Sequence, residues 1–108
     1  MGASKLDLYD DNIVKFSQYA KCFSHPARIK IINYLAKNGV STGKDFIQLT
    51  GLSQPTVSQH LQVLSKHHML LTTVNGNVNI YSLNPIVIKR IESTFKSFFS
   101  QLKSPILK

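Results

Sequence analysis

The stretch Gly51-Leu52-Ser53-Gln54-Pro55-Thr56-Val57-Ser58-Gln59-His60-Leu61-Gln62-Val63-Leu64-Ser65-Lys66 constrains this chain more than any other. Gly51 can take positive φ and end a preceding helix, Ser53 is a good N-cap acceptor, and Pro55 falls in a first turn, where its missing N–H costs nothing. Val57, Leu61 and Leu64 recur at i, i+4 and i+7 and form one apolar stripe. The opposite face carries Gln54, Ser58, Gln59, Gln62 and Lys66, with Thr56 near its edge and no acid among them. An ordinary solvated face mixes Glu with Lys. Amides and hydroxyls can instead donate and accept at base edges, so the stretch reads as a helix suited to a DNA major groove.

The flanking segments fit around that helix. Residues 1–9 read as a flexible arm, in which Leu6, Leu8 and Tyr9 could pack under a partner. Asp10-Asp11-Asn12 offers N-cap acceptors for a helix over 10–23, with Ile13, Phe16, Ala20 and Phe23 at helical spacing and Val14 and Tyr19 widening the stripe. Ser24-His25-Pro26 restarts a helix whose expected core face is Ile29, Ile32, Leu35 and Ala36, with Ile31 as a second buried edge and Asn38-Gly39 as the stop. A short helix from about Lys44 to Thr50 then meets Gly51, so 44–66 is a helix, a tight turn and a second helix. Beyond it, Leu70–Val74 and Val78–Leu83 flank the turn signal Asn75-Gly76-Asn77, which predicts a two-stranded β-hairpin wing over 70–83. Asn84-Pro85 caps a last helix over 86–103 that carries Ile88, Ile91, Phe95, Phe98, Phe99 and Leu102. So much aromatic surface on a terminal helix calls for a partner. The expected interface is a symmetric homodimer built from the first and last helices, with Ile13, Phe16, Ile91, Phe95, Phe98, Phe99 and Leu102.

With 108 residues and a formal net charge of +8, the chain is sized for one domain and favours polyanionic partners, nucleic acid before membrane. Phe46 to Ile91 contains no Asp or Glu. A single cysteine, Cys22, excludes an internal disulfide framework and suits a reducing cytosol. No apolar run approaches membrane-spanning length and no signal-peptide pattern opens the sequence, so a soluble, cytoplasmic protein is expected. The acids Asp7, Asp10, Asp11, Asp45 and Glu92 are scattered, and the glycines form no phosphate-cradling loop. No enzymatic constellation is visible.

Leu52-Ser53-Gln54-Pro55-Thr56-Val57-Ser58-Gln59-His60-Leu61 resembles the recognition-helix signature of the ArsR/SmtB family of prokaryotic winged-helix repressors. Ser24-His25-Pro26-Ala27-Arg28-Ile29-Lys30-Ile31 resembles the same family's entry into its second helix, at the separation the family shows. The resemblance runs from about Phe16 to the end, and it implies a winged helix-turn-helix homodimer acting as a transcriptional repressor. Many members of that family respond to metals. One family site places a Cys-x-Cys pair before an Asp, which puts Thr42 and Lys44 where thiolates would stand ahead of Asp45. A second uses Asp, His and Glu on the last helix, where this chain has only Glu92. Neither usual metal site is expected, and no cofactor. Family wings often carry Arg or Lys near the tip, whereas Leu70 to Ile88 contains none.

The reading is a mainly α winged helix-turn-helix that binds double-stranded DNA at a palindromic operator. Base-edge reading falls to Gln54, Thr56, Ser58 and Gln59, with Pro55 against a thymine methyl. Gln62 and Lys66 would reach the backbone, Asn75 and Asn77 would contact DNA from the wing, and the electrostatic share would come from Lys44, Lys66 and the Arg28–Lys30 region. His60 reads as structural, near the buried side of its helix. Two other readings remain: an interaction module without specific DNA binding, and a redox or metal sensor centred on Cys22. No residue pattern specifies an effector.

Overall fold

The computed structural model describes residues 8–107, with side chains through Lys103. Most of the expected arm, including Leu6, lies outside the described residues, while Leu8 and Tyr9 are exposed. The order of elements is α1 (Asp11–Cys22), α2 (Pro26–Asn38), β1 (Ser41–Thr42), α3 (Gly43–Thr50), α4 (Gln54–Lys66), β2 (Leu70–Asn75), β3 (Val78–Leu83) and α5 (Pro85–Leu107).

Local chemistry sets most of the boundaries. Asp10 occupies the N-cap of α1 but makes no side-chain cap bond; its carbonyl accepts from the Ile13 and Val14 N–H groups. At α2 the cap is His25, whose Nδ1 accepts the Ala27 N–H at 3.0 Å, with Pro26 in the first turn. Asp45 in α3 reaches back to the Thr42 N–H at 3.1 Å, the carboxylate half of a capping box. Gly51 ends α3 at φ 71°, the left-handed conformation that lets α4 start at an angle after only a short turn. Ser53 precedes α4, but its hydroxyl pairs with that of Thr56 at 3.0 Å instead of capping the backbone. Asn84 caps α5, Oδ1 accepting from the Ile86 and Val87 N–H groups at 3.2 and 3.4 Å.

The expected hairpin wing over 70–83 is formed by β2 and β3, and β1 adds a short third strand to give an antiparallel sheet of order β1-β3-β2. Ser41 and Thr42 pair with Tyr81 and Ile80, and a segment this short carries no period of its own to read. The β2–β3 register runs from Leu70↔Leu83 to Asn75↔Val78, leaving Gly76 and Asn77 as the loop. Gly76 has φ 65° at the first loop position, as a type II′ turn requires.

Phe46, Ile31, Leu35, Leu64, Met69 and Cys22 are fully enclosed, and Phe46 meets Tyr34 and Tyr81 edge-on or tilted. The expected face of α2 was rotated from the real one. Ala27, Ile31 and Leu35 are buried, whereas Ile29 and Ala36 face solvent and Ile32 is half-buried. Three isoleucines within four positions satisfy more than one helical stripe, and packing against α3, α4 and β3 selects the one through Ile31. In α1, likewise, Tyr19 and Cys22 are the buried pair, Ile13 is exposed, and Phe16, Ala20 and Phe23 are half-buried. The last helix continues to Leu107, past its expected end near Leu102.

Candidate nucleic-acid interface

Helix α4 divides cleanly. Val57, His60, Leu61 and Leu64 are buried, while Gln54, Pro55, Ser58, Gln59, Gln62 and Lys66 are exposed and Thr56 is half-buried. Burying the first set fixes the rotation of the helix, and that rotation turns the uncharged hydrogen-bonding set outward. His60 is the polar member of the buried side. Its Nδ1 lies 2.7 Å from Arg28 Nη1, and because a guanidinium can only donate, Nδ1 accepts and the ring is neutral. Arg28 also donates to the Lys21 carbonyl and to Ser24 Oγ, and the His60 ring packs 4.4 Å from that of His25. Burial, then the charges of His25 and Arg28, hold the His60 pKa below the usual histidine value. The start of α2 and the middle of α4 are thereby clamped together.

Between α4 and the wing lies a groove of about 670 Å³. Gln54 and Ser58 line it from α4, Lys44 from the start of α3, and Asn77 from the wing tip. The sequence reading missed Tyr81 and gave Asn79 no assigned role, yet both also line it. Tyr81 continues into a smaller hollow with Ser58, Gln62 and Ser65. The signal for Tyr81 was its place in the alternating strand after the turn, but only the sheet geometry aims it at α4. Neither recess has a carboxylate in its lining. Pro55, Thr56 and Gln59 lie further round α4, outside the groove lining, and Asn75 is exposed at the end of β2 but is not brought to the groove. Lys66 is set apart as well: it lines a different recess at the far end of α4.

Two of the cations expected to supply the electrostatic share also hydrogen-bond to neutral partners within the protomer, which leaves their charge in place. Arg28 is committed to the His60 clamp, and Lys30 Nζ donates to the Leu49 carbonyl at 3.2 Å. At the start of α3, Asp45 Oδ2 accepts from Ser41 Oγ, Thr42 N and Thr42 Oγ1 at 2.7, 3.1 and 3.2 Å. Those bonds, led by that from Ser41, hold the Asp45 carboxyl below its usual pKa. The acid that follows the absent thiolates is thus a structural cap. Among the described residues no three His, Cys, Asp or Glu side chains gather as a metal site. Cys22 is fully enclosed, and burial pushes its thiol up to about 11 despite the opposing charge of Arg28. Such a thiol is a core residue and a poor thiolate.

The expected dimer residues lie together along α1 and α5. Phe16 stacks on Phe95 and Phe98 with ring centroids 4.6 and 4.4 Å apart, and Phe98 meets Phe99 edge-on. Ile13 is 58% exposed, Phe99 51% and Leu102 51%. Ile91 is a correction: it is 5% exposed and packs into the protomer's own core, where no partner can reach it. No described helix is long and apolar enough to cross a membrane.

A helix-turn-helix packed beside a β-hairpin wing, with an acid-free groove between α4 and the wing, defines the winged helix-turn-helix class of fold. Residues 25–67 match the model of the family described as bacterial regulatory protein, arsR family. The chain is 33% identical over 69 residues to the transcriptional repressor SdpR of Bacillus subtilis, covering 64% of this chain and 76% of that protein. It is also 33% identical over 70 residues to the arsenical resistance operon repressor of Staphylococcus xylosus, covering 65% of this chain and 66% of that one. The solved structure of the transcriptional repressor PagR of Bacillus anthracis superposes with a TM-score of 0.59 at 33% identity, covering 74% of this chain and 92% of that one. The chain belongs to the ArsR family of transcriptional regulators. The matched stretch spans just under two thirds of the staphylococcal repressor and 59% of two mycobacterial regulators.

Proposed function

We propose that this protein is a homodimeric repressor that binds a palindromic DNA operator through α4. The observation that carries the reading is the outward face of α4, free of acids and continuous with a groove that Lys44 and Asn77 border. In this reading Gln54, Thr56, Ser58 and Gln59 address base edges and Pro55 a thymine methyl, with Thr56 already sharing its hydroxyl with Ser53. Lys44, Gln62 and Asn77 hold the phosphate backbone on either side, with Asn79 and Tyr81 shaping the wall. Dimerisation runs through Ile13, Phe16, Phe95, Phe98, Phe99 and Leu102, which would present two copies of α4 to successive major grooves about 34 Å apart. The names of three similar proteins, each a repressor, support repression as the outcome. The test is selection of bound sites from random duplexes, followed by titration at two salt concentrations. The expected result is an inverted repeat with half-sites one helical turn apart and a clear salt slope. Weak binding without a motif would reject the reading in favour of an interaction module.

A further inference from the structure

At the far end of α4 from the groove, a second recess of about 420 Å³ opens between the C-terminus of α4, the middle of α1 and the start of α5. Lys15, Lys66, Arg90, His67 and His68 converge on it, and no carboxylate is in its lining. It shares no lining residue with the groove beside the wing. Lys66 lies about 18 Å along the helix axis from Gln54, so the recess sits away from the half of α4 placed in the major groove. One wall is apolar, made by Tyr19, Ile86 and Val87.

Two further observations bear on the occupant. The backbone donors at the start of α5 are already used, since Asn84 Oδ1 takes the Ile86 and Val87 N–H groups, so an anion here must be held by side chains. His68 adopts φ 60°, the only described non-glycine residue at positive φ. It sits where α4 ends in a Schellman motif, with His68 N bonded to the Ser65 carbonyl and Met69 N to the Leu64 carbonyl. Glycine would serve that turn at lower cost, whereas the histidine contributes an imidazole to the recess.

We infer that this recess is a binding site for a small phosphomonoester, a dianion seated among Lys15, Lys66 and Arg90 with its organic part against Tyr19, Ile86 and Val87. A phosphomonoester carries close to two negative charges at neutral pH and three acceptor oxygens, matching a cluster of donors that has no acid to neutralise it. The volume exceeds that of the phosphate alone, and a cavity of this size suits a metabolite-sized ligand. His67, whose pKa is lowered by burial and then by the charges of Lys66, Lys21 and His68, would find a bound dianion relieving that repulsion. Because the recess joins α1 and α5 to the end of α4, occupancy would act on the dimer helices and the recognition helix together.

The probe is phenyl phosphate, titrated into the full chain without DNA at constant ionic strength and followed by calorimetry and by amide shifts. Saturable binding is expected, with shifts confined to residues 15–19, 66–68 and 84–90. Lys15→Ala and Arg90→Ala should each weaken it roughly ten- to a hundredfold, while Lys37→Ala on the exposed end of α2 leaves it unchanged. Absence of saturation, or equal weakening by all three variants, would overturn the assignment. A DNA phosphate is the other source of the same chemistry. Should the full chain ignore phenyl phosphate while Arg90→Ala lowers the salt slope of duplex binding by about one, the recess is a backbone contact and the small-molecule site is refuted.

Discussion

The two segments that carry the family resemblance meet at single atoms. Arg28 belongs to one and His60 to the other, and the 2.7 Å contact between them requires the imidazole to be neutral. Protonating His60 would place a cation against a guanidinium and beside the His25 ring, which is itself held by the Ala27 N–H through Nδ1. The His60 pKa is lowered in the folded chain, so around and below the ordinary histidine pKa of about 6.5 the unfolded chain binds more protons. The stabilisation is complete above that value and is lost as pH falls through the folded pKa. His67 is shifted in the same direction, chiefly by burial, and adds to the effect. Urea midpoints should therefore fall between pH 7.5 and pH 5.5. In His60→Gln, which keeps an acceptor for Arg28 but cannot titrate, the fall should be smaller. An equal fall in both proteins would remove His60 from the account.

At the scale of elements, α4 is fixed by its ends and its buried stripe, and each can be tested. Replacing His68 by glycine should stabilise the chain by about 1 kcal/mol, because glycine adopts the left-handed turn without a Cβ penalty; a lower denaturation midpoint would mean the imidazole makes compensating contacts. On the exposed face, Gln59→Ala should cost roughly 1–3 kcal/mol at one base pair and relax specificity there. Lys44→Ala, at the groove's edge, should weaken all sequences alike and reduce the salt slope by about one. Interchanged outcomes would interchange the roles. Much of this element was legible in the sequence, because Gly51, Pro55 and the Asn75-Gly76-Asn77 turn act locally and the stripe Val57, Leu61, Leu64 has only one helical solution. What escaped was non-local. Strand β1 exists because β3 lies beside it, Tyr81 lines the groove because the fold brings β3 and α4 to the same recess, and the choice of Ile31 over Ile29 is made by the neighbours of α2. Lys66 shares the exposed face of α4 with Gln62, and a recess that it lines at the far end of the helix is formed only in the fold.

At the scale of the whole molecule, the protomer is more extended than its length requires. Its Cα radius of gyration is 16.4 Å, against roughly 13 Å for a compact domain of this size. Helix α5, running from Pro85 to Leu107, would by its rise span roughly 34 Å, and its contacts within the protomer are principally with α1. Buried Val87 and Ile91 anchor its first half in the core. Its second half presents Phe98, Phe99 and Leu102 to solvent, beside Ile13 of α1. A contiguous apolar ridge of this kind is costly to leave in water, and a second copy related by a two-fold axis covers it with an identical ridge. Phe99→Glu should consequently convert a dimer to a monomer by sedimentation, because the introduced carboxylate would be buried opposite its own symmetry mate. The same variant leaves the α4 face intact, so half-site contacts survive while affinity for the full inverted repeat drops steeply, since the two half-sites are no longer bound as one unit. A Phe99→Glu protein that stays dimeric and keeps full-operator affinity would place the interface elsewhere. One that is monomeric yet binds the full operator undiminished would show that α4 and the groove recognise DNA without the symmetry argued for them.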